Sequence, residues 1–184
     1  MRQRSIWLTL LSVVMLVGAL YYSGKVWATG ANGFKATTIA TGTFNEIDVF
    51  NQATESSLPA GYGGEVWLSL QKTKGRSDLY VQSNSWQAGG STGWHTHPGH
   101  SLIIVTSGTL TEYEADCTPH VYTFIAGQPA PTLVDPGHGH EHVIRNEGTV
   151  PASSIAVQLV PYDPLKQNRK IDISPAPETC SNVN

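Results

Sequence analysis

The sequence predicts an all-β chain, and three observations carry that expectation. Glycine (18) and proline (11) are frequent among its 184 residues. Runs suited to strands recur about every ten residues, separated by turn clusters. No long stretch rich in Ala, Leu, Glu and Lys offers a helix. Together these features argue for a sandwich or small barrel.

The strand runs begin with TTIATGTF (37–44), IDVF (47–50), EVWLSLQ (65–71) and DLYVQSNSW (78–86). SLIIVTSG (101–108), TLTEYEA (109–115), HVYTFIA (120–126), HVIRN (142–146) and SSIAVQLV (153–160) follow. Between them stand PAGYGG, TKGRS, AGGSTG, PAP, DPGHG and NEGTVPA, whose Gly, Pro and Asn suit tight turns. Trp67, Tyr80, Trp86 and Phe124 fall on strand patterns and read as core or barrel-lining residues. Residues 165–184 are polar and proline-rich and read as a tail along the outside of the domain.

The first 28 residues belong to another category. Arg2 and Arg4 precede an uncharged, mostly apolar run, Ile6 to Tyr22, and then Ser23-Gly24-Lys25 and Val26-Trp27-Ala28. This pattern fits an export signal cleaved after Ala28. Seventeen residues also reach the lower limit for a membrane-spanning helix, so an uncleaved anchor is the other reading. Either places the remaining chain outside the cytoplasm, periplasmic or secreted. Residues 29–35 then read as a flexible leader, and 36–164 as the domain proper.

Removing residues 1–28 takes away Arg2, Arg4 and Lys25 of the 11 basic residues and none of the 14 acidic ones. The remainder has 8 basic against 14 acidic residues, a formal charge of −6. No basic patch exists to hold nucleic acid, and a membrane contact is expected only through the N-terminal segment. The two cysteines, Cys117 and Cys180, fit a disulfide formed in an oxidising compartment, closing a loop of about 60 residues. Two unpaired thiols are the alternative.

All seven histidines lie between His95 and His142. On a strand, side chains two apart face the same way, so His95 and His97 share a face, with Trp94 and Thr96 on the other. His138, His140 and His142 again share parity, within DPGHGHEHVIRN. Two segments that each present same-face imidazoles can converge inside a barrel on one divalent ion. The direction of His100, after Pro98-Gly99, cannot be read, and His120 reads as a structural residue at a strand start. Glu112 and Glu114 flank Tyr113 and read as a solvated strand face.

The two histidine segments resemble the two motifs of the cupin superfamily. In the first, Gly89, His95, His97 and Gly108 fall in register, whereas the motif's glutamate is replaced by Ser101, or by Leu102 at the longer spacing. In the second, Gly139, His142 and Asn146 match, while Pro136 stands one position early and Gly127 four positions early. The resemblance covers roughly residues 36–163. It implies a single jelly-roll barrel of the double-stranded β-helix type, behind an N-terminal signal or anchor helix. It also implies a metal held by His95, His97 and His142, with His140 or water in a further position. Asn146 in this motif steadies the turn or the surroundings of the site.

Iron, zinc, nickel, copper or manganese are the expected ions. Without the glutamate the ion keeps more positive charge, which favours anionic ligands. Two functional classes follow from the resemblance. One is a metal-dependent, dioxygenase-like oxidoreductase acting on a small organic molecule, and the other a non-catalytic module binding metal or a small anion. A second copy of the chain is the expected protein partner.

Overall fold

Among the described residues every strand pair is antiparallel, and two layers of five strands account for ten of the twelve strands. The computed structural model describes residues 30–53 and 67–183. The N-terminal signal or anchor and the PAGYGG turn lie outside the described residues. The strands are β1 (Asn32–Phe44), β2 (Asp48–Ala53), β3 (Trp67–Lys72), β4 (Ser77–Ser91), β5 (His95–Thr96) and β6 (Ser101–Ser107). They continue as β7 (Thr109–Glu114), β8 (Pro119–Thr123), β9 (Thr132–Asp135), β10 (His142–Arg145), β11 (Ala152–Pro161) and β12 (Ile171–Asp172). Among the described residues a single 3-10 turn, Glu178–Cys180, is the only helical element.

One layer runs β1-β4-β11-β6-β9 and the other β12-β5-β10-β7-β8. They join at a corner where Arg145 pairs with Ser91, at the end of the long strand β4. The result is a nearly closed antiparallel barrel. β2 and β3 form a separate hairpin sheet. Alternation decides what faces inward: in β6, Ser101, Ile103 and Val105 are buried while Leu102 and Ile104 are exposed. Trp86, Ile103, Val105, Leu110, Leu133 and Ile144 form the apolar core, against which Phe34 packs. The rest of the inner face is polar, with Gln82 and Asn84 on β4, Ser154 and Gln158 on β11, and Ser101 on β6, all buried.

Four sequence readings change in the structure. β1 begins at Asn32, so part of the expected leader is strand, zipped to β4 from Asn32↔Ser91 to Phe44↔Ser77. The segment TLVD, unmarked by sequence because it is short and follows prolines, forms β9 and pairs with β6. Trp67 is 54% exposed on the hairpin sheet rather than in the core.

The tail lies along the outside and is held by Cys180, as expected, but it also contributes a strand. β12 pairs with β5, placing Ile171 opposite Thr96 and Asp172 opposite His95. Beyond it the chain folds onto the outer face of that layer. There Ala176, Cys180 and Val183 form a second cluster with Trp94 and Val143. Cys117 and Cys180 are joined in a disulfide, with Cα atoms 4.9 Å apart. The Trp94 indole donates to the Val183 carbonyl at 2.6 Å.

Replacing both cysteines by serine should cost about 4 kcal/mol, given the 63-residue separation. It should also red-shift tryptophan emission by wetting Trp94, a shift that Trp94→Phe abolishes. Denaturant unfolding followed by fluorescence checks both, and an unchanged midpoint would show that the tail docks without its bridge.

Candidate metal centre

The histidines reach one point because their loops touch backbone to backbone. Gly137 has φ +76, and a Cβ there would lie 2.3 Å from the Gly99 carbonyl oxygen. A Cβ on Gly99 would in turn lie 2.1 Å from the Leu159 carbonyl oxygen. Only glycine permits approaches this close. Across the sheet, His142 on β10 stands directly opposite His95 on β5. Ring centroids of His95 and His142 lie 4.5 Å apart, those of His95 and His97 4.8 Å, and those of His97 and His142 5.8 Å.

Each ring is held by its Nδ1. His95 Nδ1 lies 2.8 Å from the Gly93 carbonyl oxygen, and His97 Nδ1 2.7 Å from the Arg169 carbonyl oxygen. His142 Nδ1 lies 2.8 Å from Glu112 Oε1. A carbonyl or carboxylate oxygen can only accept, so all three Nδ1 atoms carry the proton and donate. That choice of tautomer leaves three Nε2 lone pairs turned toward one another, with those of His142 and His95 3.1 Å apart. Two species can fill such a gap: a proton, making His142 an imidazolium between Glu112 and His95, or a metal ion. A proton leaves the third nitrogen, of His97, unused.

Nitrogens that share one ion at about 2.1 Å sit about 3 Å apart, a spacing that His95 and His142 already have, with His97 within 4.8 Å of both. Burial, then the neighbouring His142, His97 and Lys170, push the His95 imidazole well below its usual range. Burial also lowers His97. Both rings therefore stay neutral, as metal ligands must. The donor set suits a borderline divalent ion.

Ser101 occupies the position of the absent glutamate, buried at 3% exposure. Its cross-strand partner on β9 is Asp135, also fully buried. Ser101 Oγ donates to Asp135 Oδ2 at 3.4 Å, and the same oxygen lies 3.7 Å from His97 Nε2. A buried carboxylate on the neighbouring strand thus stands beside Ser101, on the His97 side of the rings. His140 is half-buried and belongs to this side of the site: its Nδ1 lies 3.4 Å from Asp135 Oδ1. Asp135, His140 and His142 bring ligand atoms within 4.8 Å of one another, as do His95, His97 and His142. The two sets share His142.

Glu112 corrects the reading of a solvated strand face. It is 4% exposed and accepts from both His142 and the Tyr122 hydroxyl, the latter at 3.1 Å. Burial alone would raise its carboxyl, but His142 and Tyr122 hold it below the usual carboxylate value. Tyr122 is itself pushed up to about 12 by burial and the Glu112 charge, so it remains a donor. The signal was present in TLTE, where Leu110 and Glu112 share a face and Leu110 is core.

The other readings resolve simply. His120 starts β8, half-exposed, with Nε2 3.3 Å from Glu114 Oε1. His100 lies away from the three rings, beside Leu102 and Leu159 in a separate recess. Asn146 is buried, donates to the Gln87 and Val150 carbonyls, and accepts from the Gly148 amide. It steadies the turn after β10.

The three imidazoles open onto a cavity of about 70 Å³ walled both by core side chains such as Trp86, Leu110 and Ile144 and by the polar Gln82, Asn84 and Gln158. Among the described residues no carboxylate lines it. Arg169 and Lys170, from the tail, border it on the other side.

No family model matches the chain, and neither does any curated protein. Solved structures give weak likenesses. A cupin domain from Bordetella pertussis shares 20% identity, over 44% of this chain and 80% of that one, with a TM-score of 0.37. A cupin-superfamily protein from Desulfitobacterium hafniense shares 13%, over 68% and 83%, with a TM-score of 0.38. A cupin-superfamily sugar phosphate isomerase from Silicibacter pomeroyi shares 21%, over 46% and 51%, with a TM-score of 0.38. At these scores the likeness says nothing of activity, and the architecture stands on its own strand order.

Glu112→Gln keeps an acceptor for His142 but removes the charge, and should weaken divalent metal binding ten- to hundredfold, measured by chelator competition. In chelator-treated protein, stability should fall as pH drops below about 6.5. The unfolded chain takes up protons there, while folded His95 and His97 resist them. Urea midpoints at pH 7.5 and 5.5 check the direction, and equal midpoints would contradict it.

Proposed function

We propose that the chain is an exported metalloprotein whose divalent ion, held by His95, His97 and His142, meets a small organic molecule in the adjoining cavity. The observation carrying this reading is the set of three Nδ1–H anchors, which turns three neutral Nε2 atoms toward one point. Asp135 and His140 are the candidates for a further ligand, and the disulfide agrees with an oxidising, extracytoplasmic location. When bound, such an ion supplies Lewis acidity and, if redox-active, electrons.

The chain's own groups narrow the chemistry. Glu112 is committed to His142 and Tyr122, and Asp135, the other carboxylate near the rings, already accepts from Ser101 and the Gly137 amide, so neither stands free beside the cavity. A proton-shuttling isomerase or hydrolase would want such a group beside its substrate. The reading is therefore a metal-dependent oxidoreductase of the dioxygenase type. The same lack of an acid or base equally favours a second reading, a module that binds metal and a small molecule without transforming it. Turnover of a bound ligand under air distinguishes the two.

The test is elemental analysis and titration of the purified chain with zinc, iron(II), nickel, copper and manganese. Wild type should bind one ion. His97→Ala should lose binding at least a hundredfold with an unchanged circular dichroism spectrum, and Asp135→Asn should weaken it less. A wild type that takes up no metal would overturn the reading and leave the gap to a proton between His142 and His95.

A further inference from the structure

Three buried polar atoms that find no partner line the cavity beside the histidines. They are Arg169 Nη1, Asn84 Oδ1 and the amide atom of Gln158 that points away from His97, half of the six such atoms among the described residues. Asn84 and Gln158 are 7% and 2% exposed, so solvent at the surface does not satisfy them. An unmet buried donor or acceptor is costly, and a native fold that gathers three in one cavity has a use for them.

Arg169 is the most telling of the three. Its guanidinium stands 5.0 Å over the Tyr80 ring and pairs with no carboxylate among the described residues. Burial lowers its pKa, a sign that its charge is poorly compensated. Its neighbour Lys170 already pairs with Asp172. The other ionisable residues lining the cavity, His95, His97 and His142, contribute no negative charge. The cavity therefore holds one unanswered positive charge on the wall supplied by the tail.

The carboxamides set the second requirement. For His97 Nδ1 to donate to the Arg169 carbonyl, the Gln158 amide 2.8 Å away must turn its oxygen toward that ring nitrogen. Its NH₂ then faces the cavity. Asn84 touches Ser154 Oγ at 3.4 Å through one amide atom and leaves the other free. A hydroxyl, which both donates and accepts, satisfies either amide orientation. Size sets the third requirement: about 70 Å³ holds roughly five water-sized positions at 10–15 Å³ each.

We infer that the cavity takes a small hydroxycarboxylate of two to four carbons, its carboxylate on Arg169 and its hydroxyl on the carboxamides of Asn84 and Gln158. This inference rests on the reading of the cavity as the working site and names its ligand class. The fork of donors on arginine suits a carboxylate, and a desolvated pair of this kind is strong.

The probes are glycolate, its neutral amide glycolamide, and acetate, titrated calorimetrically into the full chain with and without bound zinc. Wild type should bind glycolate at least tenfold more tightly than either relative. Arg169→Gln keeps the backbone carbonyl that holds His97. It should lose ten- to hundredfold in glycolate affinity and the preference over glycolamide, in the zinc-free protein as well as the zinc-bound one. Asn84→Ala should erase the preference for glycolate over acetate. Equal binding of glycolate and glycolamide by wild type, or glycolate binding indifferent to Arg169→Gln, overturns the inference even if zinc binds. Arg169-dependent glycolate binding in a chain that takes up no metal would uphold it while removing the metal reading.

Discussion

The site depends on the register of β10. This four-residue strand pairs with β5 along one edge and with β7 along the other. The first pairing sets His142 opposite His95, and the second brings its ring within reach of Glu112. A slip of one residue would turn His142 outward and Val143, now in the outer cluster with Trp94, inward. Two apolar clusters on opposite faces of one layer therefore act as a lock on the imidazoles. The energy that fixes the register comes from Val143, Ile144 and Trp94, and the histidines inherit their directions from it.

The chain resolves a conflict between packing and polarity by mixing the two on the inner face of the barrel. Trp86, Leu110 and Ile144 pack as core and share one cavity with the buried Gln82, Asn84, Ser154 and Gln158. An inner face this polar forgoes much apolar burial. Part of the loss is offset outside the barrel, where the tail covers Trp94 and Val143 and is tied down through Cys180. The domain thus has two small cores and a working cavity in place of one large core.

Much of this was legible in the sequence, and the reasons are specific. Strand parity placed His95 and His97 on one face with Trp94 on the other, because alternation is a property of the local backbone. The glycines of PGH and DPGHG announced tight turns, although their mutual contact at Gly99 and Gly137 is a matter of tertiary approach. Asp135 and Glu112 were missed for one reason: a carboxylate on a short strand reads as solvated unless the neighbouring strand is known. Alternation within TLVD, with Leu133 in the core, points Asp135 inward once β9 is recognised. Arg169 was not readable at all. Its position follows from β12 pairing with β5, a contact between segments about 75 residues apart that no local pattern encodes.

The hold of the Arg169 carbonyl on His97 has a consequence for how the protein matures. All strands of the two layers except β12 precede residue 169 in the chain, so a barrel can close while His97 Nδ1 has the Gln158 amide beside it but not yet the Arg169 carbonyl. In that interval nothing fixes the proton on Nδ1, because an amide can turn either its oxygen or its nitrogen to the ring, and the cavity stands open on the side that Arg169 and Lys170 later border. Docking of the tail then fixes the third imidazole and closes the cavity wall in one event. The segment that carries Cys180 to Cys117 is thus also the one that finishes the site, so the bridge and the third imidazole depend on the same docking.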